Sequence, residues 1–149
     1  MNEKPVEILL VEDNPNDLEL TQRALRKGNL TNNIHIARDG AEALEFLFCE
    51  GPYANRKLED VPKVILLDLK LPKVDGLEVL KQVKTDERTR TIPVVILTSS
   101  KEQRDVVDSY HLGVNSYIVK PVNFEGFANA VQEIGMYWLL LNQAPKMEE

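Results

Sequence analysis

Val64-Ile65-Leu66-Leu67-Asp68 decides how the rest of the chain is read. Four aliphatic residues in a row, with no polar alternation and too few for a helix, read as a strand covered on both faces. A carboxylate closes it. Three further runs repeat the design: Val6 to Val11 before Glu12 and Asp13, Val94 to Leu97 before Thr98, and Tyr117 to Val119 before Lys120. In an open parallel sheet, ligands bind in the crevice beyond the carboxyl ends of the strands. Here that crevice collects carboxylates, a hydroxyl and an ammonium, a set suited to a divalent metal and a phosphoryl group.

Helical spacing fills the intervals between strands. Asn14 and Pro15 make a cap and first-turn pair, and Leu18, Thr21, Ala24 and Leu25 continue a helix with Gly28 as its terminator. Ile34 and Ile36 alternate with polar residues, as in a strand exposed on one face. Ala41, Ala43, Leu44, Leu47 and Phe48 mark a second helix. The polar stretch that follows is long for a connection in a compact domain, so residues 49–63 read as an insertion. Pro72 and Asp75-Gly76 turn the chain before Leu77, Leu80 and Val83 resume helical spacing. Pro93 opens the fourth strand. Ser100 and Gln103 form a capping-box pair, the helix runs past Val106 and Val107, and Gly113 reads as its stop. Asn123 caps a last helix carrying Phe124, Phe127, Val131, Ile134 and Trp138. Strict alternation implies right-handed crossovers and helices on both faces of the sheet. The expected fold is α/β, a flavodoxin-like three-layer αβα arrangement with five helices and a five-stranded parallel sheet in the order 2-1-3-4-5.

With 149 residues the chain suits one domain over 1–149, with a C-terminal helix and tail over 124–149 and no attached output domain. A net charge of −6 argues against a nucleic-acid partner, which needs clustered Lys and Arg to neutralise phosphates. Cys49 is the only cysteine, which fits a reducing compartment, and its neighbours Phe46, Leu47 and Phe48 favour burial. His35 and His111 have no metal-ligand spacing with each other or with Cys49. There is no export signal and no apolar stretch near the roughly 20 residues that cross a bilayer, so a cytoplasmic protein without a membrane partner is expected.

Glu12 and Asp13 close the first strand, and Asp68 closes its neighbour if that sheet order holds. Each like-charged pair at about 4 to 5 Å costs on the order of 3 to 4 kcal/mol at an effective dielectric near 20. A hard cation resolves this: Mg²⁺ takes oxygen ligands and is commonly bound by one or two carboxylates with phosphate oxygens, and Mn²⁺ can substitute. Asp68 becomes a nucleophile toward phosphorus only where charge is neutralised, which Mg²⁺ and Lys120 would supply. A Lys120-Pro121 bond in the cis form would turn the ammonium inward. A hydroxyl from Thr98 or Ser99 can donate to a phosphoryl oxygen, Ser100 being engaged as a cap.

These residues resemble the receiver domain of two-component response regulators over essentially the whole chain. The signatures are Leu9-Leu10-Val11-Glu12-Asp13, Leu66-Leu67-Asp68-Leu69-Lys70-Leu71-Pro72, Asp75-Gly76, Val94-Val95-Ile96-Leu97 before Thr98, and Tyr117-Ile118-Val119-Lys120-Pro121. The resemblance implies that Asp68 accepts phosphoryl from a sensor histidine kinase's phosphohistidine. It also implies that Asp13 and Asp68 ligate Mg²⁺ directly, Glu12 through water and Lys70 through its backbone carbonyl. After transfer, Thr98 would move toward the phosphoryl group and Tyr117 would rotate inward, altering the face of the fourth helix, fifth strand and fifth helix. Such a domain is a signalling phosphoacceptor rather than an enzyme, apart from catalysing its own phosphorylation and dephosphorylation.

Met136 to Leu141 is apolar without interruption, and a helix cannot turn all six side chains toward one core. This tail, the acidic start and the long loop resemble the single-domain regulators that pair with phytochrome kinases, many of them homodimers. Tyr137, Trp138 and Leu141 are the expected dimer residues. The alternative reading is an aspartyl-nucleophile phosphatase or phosphotransferase, but that class wants an acid two positions after the nucleophile, where Lys70 stands. A flavodoxin-like nucleotide or flavin module would need a glycine-rich loop where Asn14, Pro15 and Asn16 stand.

Overall fold

Three strands are buried along their whole length: Ile8–Val11 (β1), Val64–Asp68 (β3) and Val94–Thr98 (β4). Ile34–Ala37 (β2) and Ser116–Val119 (β5) form the edges of a five-stranded sheet, all parallel, in the order β2-β1-β3-β4-β5. This is the expected fold and strand order. The structure, a computed structural model, describes residues 7–27, 33–58 and 60–133. Within them lie helices Pro15–Lys27 (α1), Gly40–Phe48 (α2), Gly76–Thr85 (α3), Lys101–Asp108 (α4) and Phe124–Glu133 (α5), with a 3₁₀ turn at Gly51–Tyr53. Val6, Gly28, Ile134, Met136, Tyr137, Trp138 and Leu141 lie outside the described residues.

Because side chains alternate across a strand, each run serves two cores. Ile8, Leu10, Leu66 and Leu97 pack with Leu25 of α1 and Phe127 of α5. Leu9, Val11, Ile65, Leu67 and Ile96 face the other way, against Phe46, Leu80 and Val107 of α2, α3 and α4. At about 1.5–3 kcal/mol per fully buried aliphatic side chain, this burial offsets the cost of gathering like charges at the strand tips. Register then aligns those tips: Val11 pairs with Leu67, Asp68 with Leu97 and Thr98 with Val119.

Local chemistry sets most helix starts. Asn14 accepts from the Asp17 amide (3.0 Å), Asp39 from Glu42 (2.7 Å), Asp75 from Glu78 (3.0 Å) and Asn123 from Gly126 (2.7 Å). Ser100 accepts from the Gln103 amide at 3.2 Å, while the Gln103 side chain reaches back to the Ser99 amide at 2.9 Å. The capping pair therefore closes one residue earlier than expected.

The stop of α4 needs correcting. The helix ends at Asp108, well before Gly113, because Ser109 satisfies the terminal carbonyls: its amide donates to Asp105 and Val106, and its hydroxyl donates to Val106. His111 (φ 52°) and Gly113 (φ 79°) then take left-handed conformations in the connection to β5. Cys49 is half-buried rather than buried, since it occupies the left-handed cap of α2 (φ 56°).

The 49–63 insertion folds back onto α2. Tyr53 donates to Glu42 (2.7 Å), and the Arg56 guanidinium lies 3.7 Å from the centre of the Phe46 ring. His35 stacks on the same ring, 4.2 Å between centres. It is thus a packed edge-strand residue, its Nε2 3.1 Å from the Tyr53 hydroxyl.

Candidate functional site

β1 extends its pairing one residue past Val11, the Glu12 amide donating to the Ala37 carbonyl at 3.0 Å, and this places the Glu12 side chain below the surface. Glu12 is fully buried. Its Oε2 accepts from the Asn14 amide (3.2 Å), and Oε1 lies 3.1 Å from Lys120 Nζ without hydrogen-bonding geometry. Asp68, 6% exposed at the tip of β3, accepts from Lys120 Nζ through Oδ2 (3.1 Å) and from the Lys70 amide through Oδ1 (3.4 Å). Asp13 is exposed beside them. One carboxylate oxygen from each of Glu12, Asp13 and Asp68 lies within 4.8 Å of the other two.

The connection from β3 to α3 fits over this site because Gly76 has no side chain. A Cβ there would stand 2.3 Å from the Asp68 carbonyl oxygen and 2.6 Å from Leu69 Cα. The Gly76 amide instead donates to Leu69 at 2.8 Å, closing the turn after Asp68.

Lys120 enters from the far side. Its amide donates to the Thr98 carbonyl (2.8 Å), and the Lys120-Pro121 peptide is cis, the form considered from the sequence. Nζ donates to Asp17 (2.9 Å) and Asp68 (3.1 Å) and touches Glu12. Burial works against charge on this ammonium, but the Asp17 hydrogen bond and the Asp68 charge outweigh it and hold its pKa above the ordinary lysine value. Asp17 is the residue that sequence reasoning missed. It sits in the first turn of α1, where an acid is ordinary, and its partner is remote in the chain. The available signal was its place three residues past the Asn14 cap, on a helix that starts at the same crevice.

Two other expected residues donate their hydroxyls elsewhere than to the acidic cluster. Thr98 is buried, and its hydroxyl donates to the Ser100 carbonyl at 3.1 Å. Tyr117 donates to Asp108 on α4, with the Arg104 guanidinium 4.6 Å from its ring centre; burial and then the Asp108 hydrogen bond raise its pKa. Lys70 is exposed, with its amide rather than its side chain on Asp68. The expected dimer residues Tyr137, Trp138 and Leu141 lie outside the described residues.

The donor set fits a hard divalent cation. Three convergent carboxylates are oxygen ligands of the kind Mg²⁺ and Mn²⁺ prefer, and Glu12 Oε1 is a buried acceptor without a hydrogen bond. Burial, reinforced by the hydrogen bond and charge of Asp68 and opposed by Lys120, pushes the Glu12 pKa up to about 7. A cation would compete with that proton. Affinity for a divalent cation is therefore expected to rise about tenfold per pH unit below about pH 7 and to level off above it. Calorimetric titration checks this, with Glu12→Gln flattening the profile; a pH-independent parent would remove Glu12 from the cation's surroundings.

Residues 8–132 match the family described as the response regulator receiver domain. The chain belongs to this family. Among relatives of the receiver, the probable methanogenesis regulatory protein FilR2 of Methanothrix harundinacea is 47% identical over 144 residues, covering 96% of this chain and 90% of its own. The bacteriophytochrome response regulator RtBRR is a solved structure 54% identical to it, with a TM-score of 0.87, covering 95% of this chain and 85% of that one. The Mn²⁺-bound form of response regulator Rcp1 is 40% identical with a TM-score of 0.72, covering 97% of this receiver and 100% of that chain. The phosphorylated cyanobacterial phytochrome response regulator RcpA is 43% identical with a TM-score of 0.72, covering 91% and 95%. The similarity to single-domain phytochrome-associated regulators expected from the sequence is thus present. No helix among the described residues of the receiver is long and apolar enough to cross a membrane.

Proposed function

We propose that this receiver is the phosphoacceptor of a two-component relay, taking a phosphoryl group from the phosphohistidine of a sensor histidine kinase onto Asp68. The observation that carries the reading is the meeting of Asp68 Oδ2 and Lys120 Nζ at 3.1 Å inside a cluster of carboxylates from another strand. Phosphoryl transfer depends mainly on positioning and electrostatic stabilisation, and this arrangement provides both. Asp13 and Asp68, with the Lys70 carbonyl and Glu12 through water, would hold Mg²⁺, which when bound neutralises charge on the entering phosphoryl group. Lys120 takes up a phosphoryl oxygen from the opposite side. Transfer breaks the donor's P–N bond and forms P–O on an Asp68 oxygen, while the leaving imidazole recovers its proton from solvent.

The switch follows from what must be given up. Phosphorylation brings about −1.5 to −2 charges and three acceptor oxygens into the site. Thr98 would exchange its bond to the Ser100 carbonyl for one of those oxygens, and Tyr117 would leave Asp108 to turn inward. Both moves alter α4 and β5. A ligand-like group that favours one of two poses shifts their populations, which is the physical content of the signal. The phytochrome regulators among its relatives support a phytochrome as the kinase class.

A time course with a phytochrome-class histidine kinase tests this. Label is expected to pass from the kinase to this chain in one-to-one stoichiometry, only with a divalent cation present. Continuous turnover of a small phosphorylated metabolite, without stoichiometric labelling, would favour an aspartyl phosphatase instead.

A further inference from the structure

Lys120 carries two hydrogen-bonded carboxylates, and only one of them belongs to the phosphoacceptor. The other, Asp17, is an acid in a helix's first turn whose carboxylate is engaged by a lysine remote in the chain. At that position, three past the cap, a Glu or Gln can reach back to the amide of the cap residue. Here Glu12 Oε2 takes the Asn14 amide at 3.2 Å, so the Asp17 carboxylate is released and turns 2.9 Å from Lys120 Nζ across the crevice.

We infer that Asp17 is a positioning residue that holds the Lys120 ammonium in its resting pose and slows phosphorylation until it lets go. The inference rests on the phosphoacceptor reading above. When Asp68 gains a phosphoryl group, Lys120 Nζ, which donates to Asp17 and Asp68, has to turn toward the new oxygens, and the bond that this turn loosens is the one to Asp17. Glu12 cannot turn to water, being fully buried, and Asp68 is covalently part of the product. Asp17 can: its side chain is 32% exposed, so its carboxylate is resolvated when the ammonium leaves. Its charge also opposes the arrival of a phosphoryl group bearing the same sign. Both effects act in one direction, as a brake on phosphorylation.

The test uses the full chain with phosphoramidate as donor and Mg²⁺ present, read by intact mass and by mapping the modified residue. Here the donor's P–N bond breaks, P–O forms on Asp68, and ammonia leaves with a proton from solvent. Asp17→Asn and Asp17→Ala are expected to be phosphorylated about 3- to 10-fold faster than the parent, as follows from removing one charge-assisted hydrogen bond from the ground state. Asp17→Glu, which restores the carboxylate, is expected to return the rate toward that of the parent, which a merely structural role at the helix start would not require. Affinity for beryllofluoride, a phosphoryl mimic that needs no transfer chemistry, is expected to rise by a similar factor in Asp17→Asn. Equal rates and equal beryllofluoride affinity in parent and Asp17→Asn, with the parent labelled on Asp68, would overturn the brake alone. A parent that takes no label on Asp68 would overturn the phosphoacceptor reading and the brake with it.

Discussion

Asp68→Asn is expected to fold as the parent does and to take no phosphoryl group from kinase or small donor. The amide keeps the size of the carboxylate and keeps an oxygen for Lys120 Nζ, now 3.1 Å from Oδ2, so packing at the tip of β3 is preserved. It also removes one negative charge from a cluster in which three carboxylate oxygens lie within 4.8 Å, easing repulsion in the metal-free state. Stability without metal should therefore match or exceed that of the parent, while cation affinity falls. Reactivity disappears because a neutral amide oxygen is a far poorer nucleophile toward phosphorus than a carboxylate. The loss is all-or-none by intact mass, and the denaturation midpoint in chelator separates it from misfolding. Label on the variant at the parent's level would move the acceptor to another carboxylate, and exposed Asp13 is the next to map.

How much of this was legible depends on how local each interaction is. The strand tips were readable because apolar continuity and one terminal polar residue are written within a few adjacent positions, as at Val64–Asp68. Alternation gave a parallel sheet, its order came by analogy with the flavodoxin-like arrangement, and that order brings Glu12, Asp13 and Asp68 together. Asp17 was not readable, since its role depends on which carboxylate wins the Asn14 amide and on a lysine from β5's far end. The end of α4 was misplaced for a related reason: glycine is the usual terminator, yet the Ser109 hydroxyl satisfies the Val106 carbonyl first. The insertion gave only its length. Its packing is set by Arg56 over Phe46 and by Tyr53 on Glu42, pairings that composition alone does not specify.

Lys120→Ala is expected to leave a folded protein that is less stable without metal, by roughly 3 kcal/mol, because its removal strips the cation from a mostly buried set of carboxylates. Domains of this size are stable by about 5–15 kcal/mol, so the fold survives the loss. The pH dependence has a definite sign. Burial and Asp68 already raise the Glu12 pKa, and Lys120 is what lowers it, so without the ammonium Glu12 holds its proton to still higher pH. Between the ordinary carboxyl value of 4.5 and that raised pKa the folded state binds more protons than the unfolded one. Stability of the metal-free variant must then fall as pH rises through that window, and fall further than the parent's. A divalent cation at about 100 times its dissociation constant adds about 2.7 kcal/mol, enough to recover most of the deficit. Urea denaturation across pH 5 to 8, roughly the span over which buried carboxylates change state, in chelator and in Mg²⁺, measures all three effects. A variant as stable as the parent in chelator would mean that Lys120 is not the counter-ion of this cluster. The same variant should still accept phosphoryl, slowly, yet leave Tyr117 on Asp108, as follows from the proposal that the Lys120 ammonium would gather the phosphoryl oxygens and so couple Asp68 to the end of β5.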